Sequence, residues 1–368
     1  GIYITFGGQT AVIFTDLLQG FILIFAGILV FILGINYVGG FDIFWNALSP
    51  EFKLPLANFN QPSNFNFVGI FWQDGVAGSV GFLFMNQGLI MRFMACKSVH
   101  EGRKAAAFNV LILLPICTIV VSNAGWIGKA ISIVTPESWN ATTQLDHVFT
   151  QVAYLITGSE VVFAFVIAAV AAALMSTVDT LINAVAAVVI NDIYRPIVKD
   201  KNDKHYLKVA MIVSAGATAV GALSTIFFDN FPTLYEAHGF FHSTMTPPLV
   251  VAIFLGIFWK RYSTPAAVAT FLGGAVFMWI GNKYPQIFIS PFDHGIEFNP
   301  ERPYTYIRAL YNTLVCAGSG VIVGLLTTSP AEKKIEGLTV WSLDKAREFF
   351  KGSAPNDRPG EKIVVRWK

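Results

Sequence analysis

Eight long apolar stretches set the strongest limit on what this chain of 368 residues can fold into. A helix needs about 20 apolar residues to cross a hydrocarbon core that is roughly 30 Å thick. The stretches lie at 11–37, 67–95, 105–131, 159–191, 205–228, 234–258, 264–282 and 306–327. The pattern therefore predicts an all-α integral membrane protein with about eight transmembrane helices, one for each stretch.

The composition agrees with a lipid environment and argues against several other classes of protein. Apolar residues make up 54% of the chain and charged residues only 13%, too few for the polar surface of a soluble domain of this size. The net charge of +2 gives no sign of nucleic-acid binding, because the basic residues flank the apolar stretches and form no stripe. Since no nucleophile with a partner base and no Gly-rich phosphate loop is present, we predict neither an enzyme nor an organic cofactor.

The distribution of Lys and Arg predicts the orientation of the chain in the membrane. With eight spans drawn, one side carries 20 of the 25 basic residues and the other side carries five. Without the residues after 329 the ratio is still 11 to 5. The positive-inside rule places the richer side in the cytoplasm. We therefore expect a multi-pass protein of the plasma or inner membrane with a cytoplasmic C-terminus.

The fourth stretch contains a polar face. In AALMSTVDTLINA, residues 172–184, a helix places five polar side chains within one arc of about 160°. Leu174, Met175, Val178, Leu181 and Ile182 fill the opposite arc. Asp179 lies about 20 Å or more along the helix from the charged residues at either end, well inside the bilayer. An intramembrane carboxylate costs about 2.5 to 3.5 kcal/mol, so it normally has a partner or a function.

A second polar stripe lies on the first stretch. Asp16 and Gln19 are i and i+3 neighbours there, and Thr15 and Gln19 are i and i+4 neighbours. Oxygen ligands without His or Cys suit a small hard cation or a proton rather than zinc or iron. Asp16 and Asp179 therefore suggest a cation path along the inner half of a helical bundle. The alternative is that Asp179 is protonated or hydrogen-bonded and that the nearby hydroxyls only bond back to their own helix.

Five segments of the chain resemble the sodium:solute symporter family, which includes the sodium/glucose cotransporters. The first, YITFGGQTAVIFTDLLQ at 3–19, resembles the family pattern YTxxGGxxAVxxTDxxQ. The others are MNQGLIMRFMACKSVHEGRKA at 85–105, AALMSTVDTLINA at 172–184 with NDIYRP at 191–196, TPPLVVAIFLGIFWKRYSTPAA at 246–267 and EKKIEGLTVW at 332–341. Because they follow the family's order over nearly the whole chain, the chain is identified as a member.

The resemblance implies the fold and the domain organisation. The family fold is a LeuT-like pair of inverted five-helix repeats with binding sites near the midplane. On that template the chain is the C-terminal part: its first span resembles the last helix of repeat one, the next five resemble repeat two, and the last two are peripheral. Residues 1–328 would form the membrane transport domain and residues 329–368 the cytoplasmic tail. Four core helices of repeat one are missing on that template, and the chain begins with Gly rather than Met. We therefore expect the missing N-terminal helices of the same transporter to be its partner.

The resemblance also implies that Na+ is the coupling ion. The family's principal sodium site uses one carbonyl and two hydroxyls of a single helix. Their positions match Ala173, Ser176 and Thr177 in this chain. The remaining ligands of that site belong to a helix that is absent here, so this chain would supply half of the site.

A second cation site occurs in some members of the family, three residues further along the same helix. Its hydroxyl positions match Asp179 and Thr180, and Asp16 matches an aspartate on the family's inner ion path. Because one hydroxyl position holds a carboxylate here, the site suits a second sodium, a proton or a salt bridge, and these alternatives stay open.

The substrate residues match less completely. Asn86 and Gln87 match an Asn-Gln pair that binds substrate in the sugar transporters. Ile112 and Gly239 stand where sugar carriers place Lys and Gln, which puts a glucose-type pocket in doubt. The same region contains three other polar residues, Glu236, His238 and His242. They either replace the lost sugar contacts or mark an outer helix end.

These matches predict a secondary active transporter that couples sodium to the symport of a small organic solute, a sugar or a related polar metabolite, by alternating access. Its expected partners are the solute and the lipid bilayer. One alternative is a proton-coupled symporter in which Asp16 and Asp179 titrate. The other is a signalling or structural membrane domain that transports nothing.

Overall fold

The computed structural model describes residues 2–53, 67–140, 145–231, 233–293, 295, 298, 300 and 303–342. These residues form helices joined by turns and short irregular segments, and no strand occurs among them. The all-α prediction is therefore confirmed for this part of the chain. Residues 343–368 of the predicted tail lie outside it.

Eight helical segments in the described residues are long and apolar enough to cross a membrane, which confirms the predicted number of spans. We label them α1 (Ile2–Val38), α2 (Phe67–Met85), α3 (His100–Val134), α4 (Glu160–Ile197), α5 (Asp203–Phe228), α6 (Leu234–Phe258), α7 (Thr264–Lys283) and α8 (Arg308–Leu326). Shorter α-helices lie at Phe41–Ala47, Pro50–Lys53, Gln87–Met94, Val148–Thr157, Pro285–Phe288 and Glu332–Ile335.

The second apolar stretch is interrupted, so its prediction as one span over 67–95 is wrong. α2 ends at Met85, and Asn86 has an extended backbone with φ −72° and ψ 104°. The Asn86 side-chain oxygen accepts a hydrogen bond from the Leu89 amide at 3.0 Å, which caps the helix Gln87–Met94. Asparagine is among the preferred residues at a helix N-cap, because its side chain satisfies an amide that has no partner within the helix.

The chain forms two compact units. The first, Gly1–Lys53 with Lys104–Thr233, contains most of α3 together with α1, α4 and α5, and α1 packs along both α3 and α4. Val30 and Ile127 belong to its buried core. A Cβ atom at Gly34 would lie 2.4 Å from Ile127, so this close contact of helices requires glycine. Asn123 donates a hydrogen bond to the Gly27 carbonyl at 2.9 Å across the same interface.

The second unit, Leu54–Arg103 with Leu234–Lys368, contains α2, α6, α7 and α8. Pro247 and Pro248 lie inside α6. Since proline has no amide hydrogen, the Ser243 carbonyl one turn earlier loses its helical partner. Asn312 on α8 donates a hydrogen bond to that carbonyl at 2.7 Å. Lipid offers no substitute partner, so this side chain satisfies a backbone group that the proline leaves open.

Candidate functional site

α1 and α4 bring together the two polar stripes of the first unit. Ser176 on α4 donates a hydrogen bond to Asp16 Oδ1 on α1 at 2.6 Å. One turn later, Thr180 Oγ1 lies 3.5 Å from Asp16 Oδ2 and 3.0 Å from the Ser176 backbone oxygen. The helices are in close contact here, since Val12 and Ile182 form a buried pair. Asp16 is therefore tied to the polar face of α4.

Asp179 lies in the same turn of α4 but differs from these groups. Its exposed fraction is 0%. Among the described residues, neither of its carboxylate oxygens has a hydrogen-bond partner. A buried carboxylate without donors has lost its hydration without compensation, which is unfavourable unless a cation or a proton occupies it. The adjacent Thr180 is 8% exposed, so both side chains of the predicted second cation site are buried.

The oxygens predicted for the principal sodium site lie on adjacent turns of α4. Thr177 Oγ1 is 3.5 Å from the Ala173 carbonyl oxygen, at the limit of a hydrogen bond. Thr177 is exposed and Ser176 is half-buried. Because Ser176 donates its hydroxyl hydrogen to Asp16, the lone pairs of its oxygen are free to face a cation.

The apolar face of α4 has one residue that packs against α1. Leu174, Met175, Val178 and Leu181 are each at least 45% exposed, as expected for side chains that meet lipid. Ile182 belongs to the same arc but is 6% exposed. It is covered because Val12 of α1 packs against it.

Asn86 and Gln87, the predicted solute-binding pair, lie at the end of α2 in the second unit. Both side chains are half-buried. Asn86 caps the helix Gln87–Met94 through its side-chain oxygen, a structural role that its sequence position did not reveal. Gln87 begins that helix. Asn86 is therefore a capping residue, and the Gln87 amide is the other member of the predicted solute-binding pair.

A second polar cluster joins α2 and α6. Asp74, His238 and His242 place one ligand atom each within 4.8 Å of one another. Tyr235 donates a hydrogen bond to Asp74 Oδ2 at 2.5 Å, and Glu236 is half-buried beside it on α6. Asp74 is not among the residues predicted from the sequence. Its signal was present, since a carboxylate inside a predicted span is by itself evidence of a functional site.

Several known proteins resemble this chain over most of its length. The model of the sodium:solute symporter family matches residues 1–274. The sodium/glucose cotransporter of Vibrio parahaemolyticus is 23% identical over 289 residues, which is 73% of this chain and 52% of the relative. The sodium/myo-inositol cotransporter of Canis lupus familiaris is 26% identical over 411 residues, which is 98% of this chain and 56% of the relative.

A solved structure of a Na+-coupled sialic acid symporter matches this chain with a TM-score of 0.68 and 19% sequence identity. The match covers 89% of this chain and 65% of the symporter chain. This similarity confirms the LeuT-like membrane fold. The chain spans about half the length of the curated relatives it matches.

Proposed function

Because this chain belongs to the sodium:solute symporter family, we propose that it takes part in the sodium-coupled symport of a small organic solute by alternating access. The family consists of transporters and not of enzymes. Cell-membrane localisation with a cytoplasmic C-terminus is part of the proposal, supported by the 20 basic residues on one predicted side.

The observation that carries the proposal is the polar contact between α1 and α4. Asp16 and Ser176 are hydrogen-bonded at 2.6 Å, and Asp179 is 0% exposed on the same helix. In a membrane interior such groups normally have a partner or serve a bound or moving ion, and Asp179 has no partner among the described residues. Asp16, Asp179 and Thr180 are proposed to hold the second cation or to form the inner ion path. All three lie on described helices of one unit.

Ala173, Ser176 and Thr177 are proposed to supply half of the principal sodium site. The other ligands would come from a helix of repeat one in the same transporter. Sodium at this site would hold two helical bundles together in an outward-facing state, and its release to the cytoplasm would loosen the inner gate. One Na+ moving inward across 100 mV contributes about 2.3 kcal/mol, enough for roughly a 50-fold solute gradient.

The solute is proposed to be a polar organic metabolite. Relatives named for glucose, myo-inositol and sialic acid support this class. Another relative is named for proline. A test of the solute should therefore include an amino acid as well as sugars. Gln87, with Asn86 at the helix cap, is proposed to contact the solute. The roles of Glu236 and His238 as solute contacts stay predictions.

The test is solute uptake into proteoliposomes by the full-length protein, with glucose, myo-inositol, sialic acid and proline as the panel. We expect uptake of at least one solute to require Na+ and to be abolished in the double variant Ser176→Ala, Thr177→Ala. Thr118→Ala is the matched control, because this exposed threonine bonds only to its own helix, at Leu114. Sodium dependence that is unchanged in the double variant would contradict the proposed principal site.

Proton coupling is the second candidate, and the burial of Asp179 favours it equally well. A proton neutralises a carboxylate that has no hydrogen-bond partner in the described chain. In that case uptake would survive replacement of Na+ by choline and would collapse when an uncoupler dissipates the proton gradient. Sodium coupling requires the opposite result in both experiments.

A further inference from the structure

We propose that Asp74, His238 and His242 bind one divalent transition-metal ion, with zinc as the best match. The three side chains belong to α2 and α6 of the second unit. One carboxylate and two imidazoles form a ligand set that zinc uses in proteins. This assignment gives His238 a role different from the solute contact predicted from its sequence position, and it does not depend on whether the chain transports sodium.

The backbone places the two histidines on one side of α6. They are i and i+4 neighbours, a spacing at which one metal ion can be held by a single helix face. Their ring centroids are 3.9 Å apart with an interplanar angle of 62°. His238 is exposed and His242 is half-buried, so the pair has one side open to an arriving ion.

Asp74 supplies the third ligand from the neighbouring helix. The three ligand atoms lie within 4.8 Å of one another. A tetrahedral zinc ion with bonds of about 2.0 to 2.1 Å needs neighbouring ligand atoms about 3.3 Å apart. Small side-chain rotations therefore close the triad around an ion, without movement of either helix.

Hydrogen bonds orient the Asp74 carboxylate. Tyr235 donates to Oδ2 at 2.5 Å, and the buried Gln73 amide donates to Oδ1 at 3.2 Å. A Cβ atom at Gly239 would lie 2.6 Å from the Gln73 amide nitrogen, so glycine on α6 makes room for this amide. Outer hydrogen bonds of this kind fix ligating carboxylates in known metal sites.

The His242 ring gives an independent indication that the cluster is a ligand site. Its Nδ1 atom is buried and has no hydrogen-bond partner among the described residues. If the cluster were only a structural hydrogen-bond network, Asp74 would be expected to accept a hydrogen bond from one of the histidines. Within the described residues, Tyr235 and Gln73 donate to it instead. A metal ion satisfies the imidazole nitrogens and the carboxylate together.

The depth of the cluster indicates where the ion would enter. Asp74 is seven residues, about 10 Å, from the first residue of α2, and the histidines are about 6 to 12 Å from the first residue of α6. Under the orientation predicted from the basic residues, these helix ends face the outside. The ion would therefore come from the external solution and join α2 to α6.

The experiment is a titration of the purified full-length protein with Zn2+ alone, after removal of any affinity tag, with competition against a zinc chromophore. We expect one zinc ion per chain. The variants His242→Ala and Asp74→Asn should weaken binding more than about 100-fold, and Tyr235→Phe about 10-fold. His147→Ala is the matched control, because this exposed histidine lies in the other unit and its loss should leave the affinity unchanged.

Metal preference provides a second measurement in case one of the alanine variants folds poorly. His242→Cys exchanges an imidazole for a thiolate and should raise the preference for Cd2+ over Zn2+ at least about 10-fold. Cobalt bound to the wild type should give visible d–d absorption that His242→Ala removes. Absence of stoichiometric zinc binding by the wild type, or equal affinity in the double variant His238→Ala, His242→Ala, would overturn the proposal. Neither readout measures transport, so its failure is separate from a failure of the proposed symport.

Discussion

Replacement of the buried carboxylate on α4 should reverse the order of stability between the variant and the wild type when sodium is added. The variant is Asp179→Asn, which keeps the size of the side chain and removes its charge. Asp179 is 0% exposed, and neither carboxylate oxygen has a partner among the described residues. If Asp179 is a sodium ligand, the wild type without sodium carries an uncompensated charge and the variant carries a neutral amide.

The magnitudes follow from the two environments. A carboxylate in the membrane interior costs about 2.5 to 3.5 kcal/mol. An unsatisfied neutral amide costs about 1 to 3 kcal/mol. The variant should therefore be more stable by about 1 kcal/mol in choline buffer. Sodium at 100 times its dissociation constant should add about 2.7 kcal/mol to the wild type and much less to the variant, which leaves the wild type more stable by about 1 kcal/mol.

The assay is thermal unfolding in detergent at a fixed pH, in choline and in sodium buffer. One kcal/mol corresponds to about 1 °C for 368 residues at an unfolding entropy of roughly 2.1 cal/mol/K per residue. Asp192→Asn is the control, because this carboxylate is exposed near the end of the same helix. Sodium should not change the order of stability between this variant and the wild type. An equal sodium-induced shift in the wild type and in Asp179→Asn would refute the assignment of Asp179 as a cation ligand.

Two further predictions concern the second unit. In thermal unfolding, Asn86→Ala should lower the free energy of unfolding by about 0.5 to 2 kcal/mol through loss of the helix cap. Gln87→Ala should leave the unfolding midpoint within about 1 °C of the wild type. In uptake assays, Gln87→Ala should raise the KM for the solute. Asn312→Leu should cost about 1 to 3 kcal/mol because the Ser243 carbonyl loses its donor. Pro247→Ala should restore part of that loss by returning a backbone amide to the same carbonyl, and strictly additive effects in the double-mutant cycle would contradict this account.

The number of membrane spans could be predicted because it depends on length and polarity along the chain. Each of the eight spans was visible as an apolar stretch. The errors lie where a single side chain decides a boundary. Ser98 caps the start of α3 by accepting a hydrogen bond from the Glu101 amide at 3.2 Å, so the helix begins before its apolar residues. Asn86 ends α2 in the middle of an apolar stretch for the same reason.

The candidate sites could be predicted only where their residues share one helix. The polar arc around Ser176 and Asp179 follows from helical periodicity alone. Its contact with Asp16, 160 residues earlier in the chain, is tertiary and cannot be derived from periodicity. The proximity of Asp74 to histidines on another helix is tertiary as well, although the carboxylate itself was visible inside a predicted span.

Two buried asparagines make side-chain hydrogen bonds between helices, whereas the buried carboxylate of Asp179 makes none within the described residues. Asn312 donates to the Ser243 carbonyl, and Asn123 donates to the Gly27 carbonyl, so each amide nitrogen stabilises a contact between two helices. Both side chains are almost fully buried, as Asp179 is. The side-chain oxygen of each amide also lacks a partner within the described residues, but Asp179 makes no side-chain hydrogen bond there at all, because both of its oxygens lack a donor. Because lipid cannot supply one, we propose that a mobile partner, a cation or a proton, stabilises this side chain.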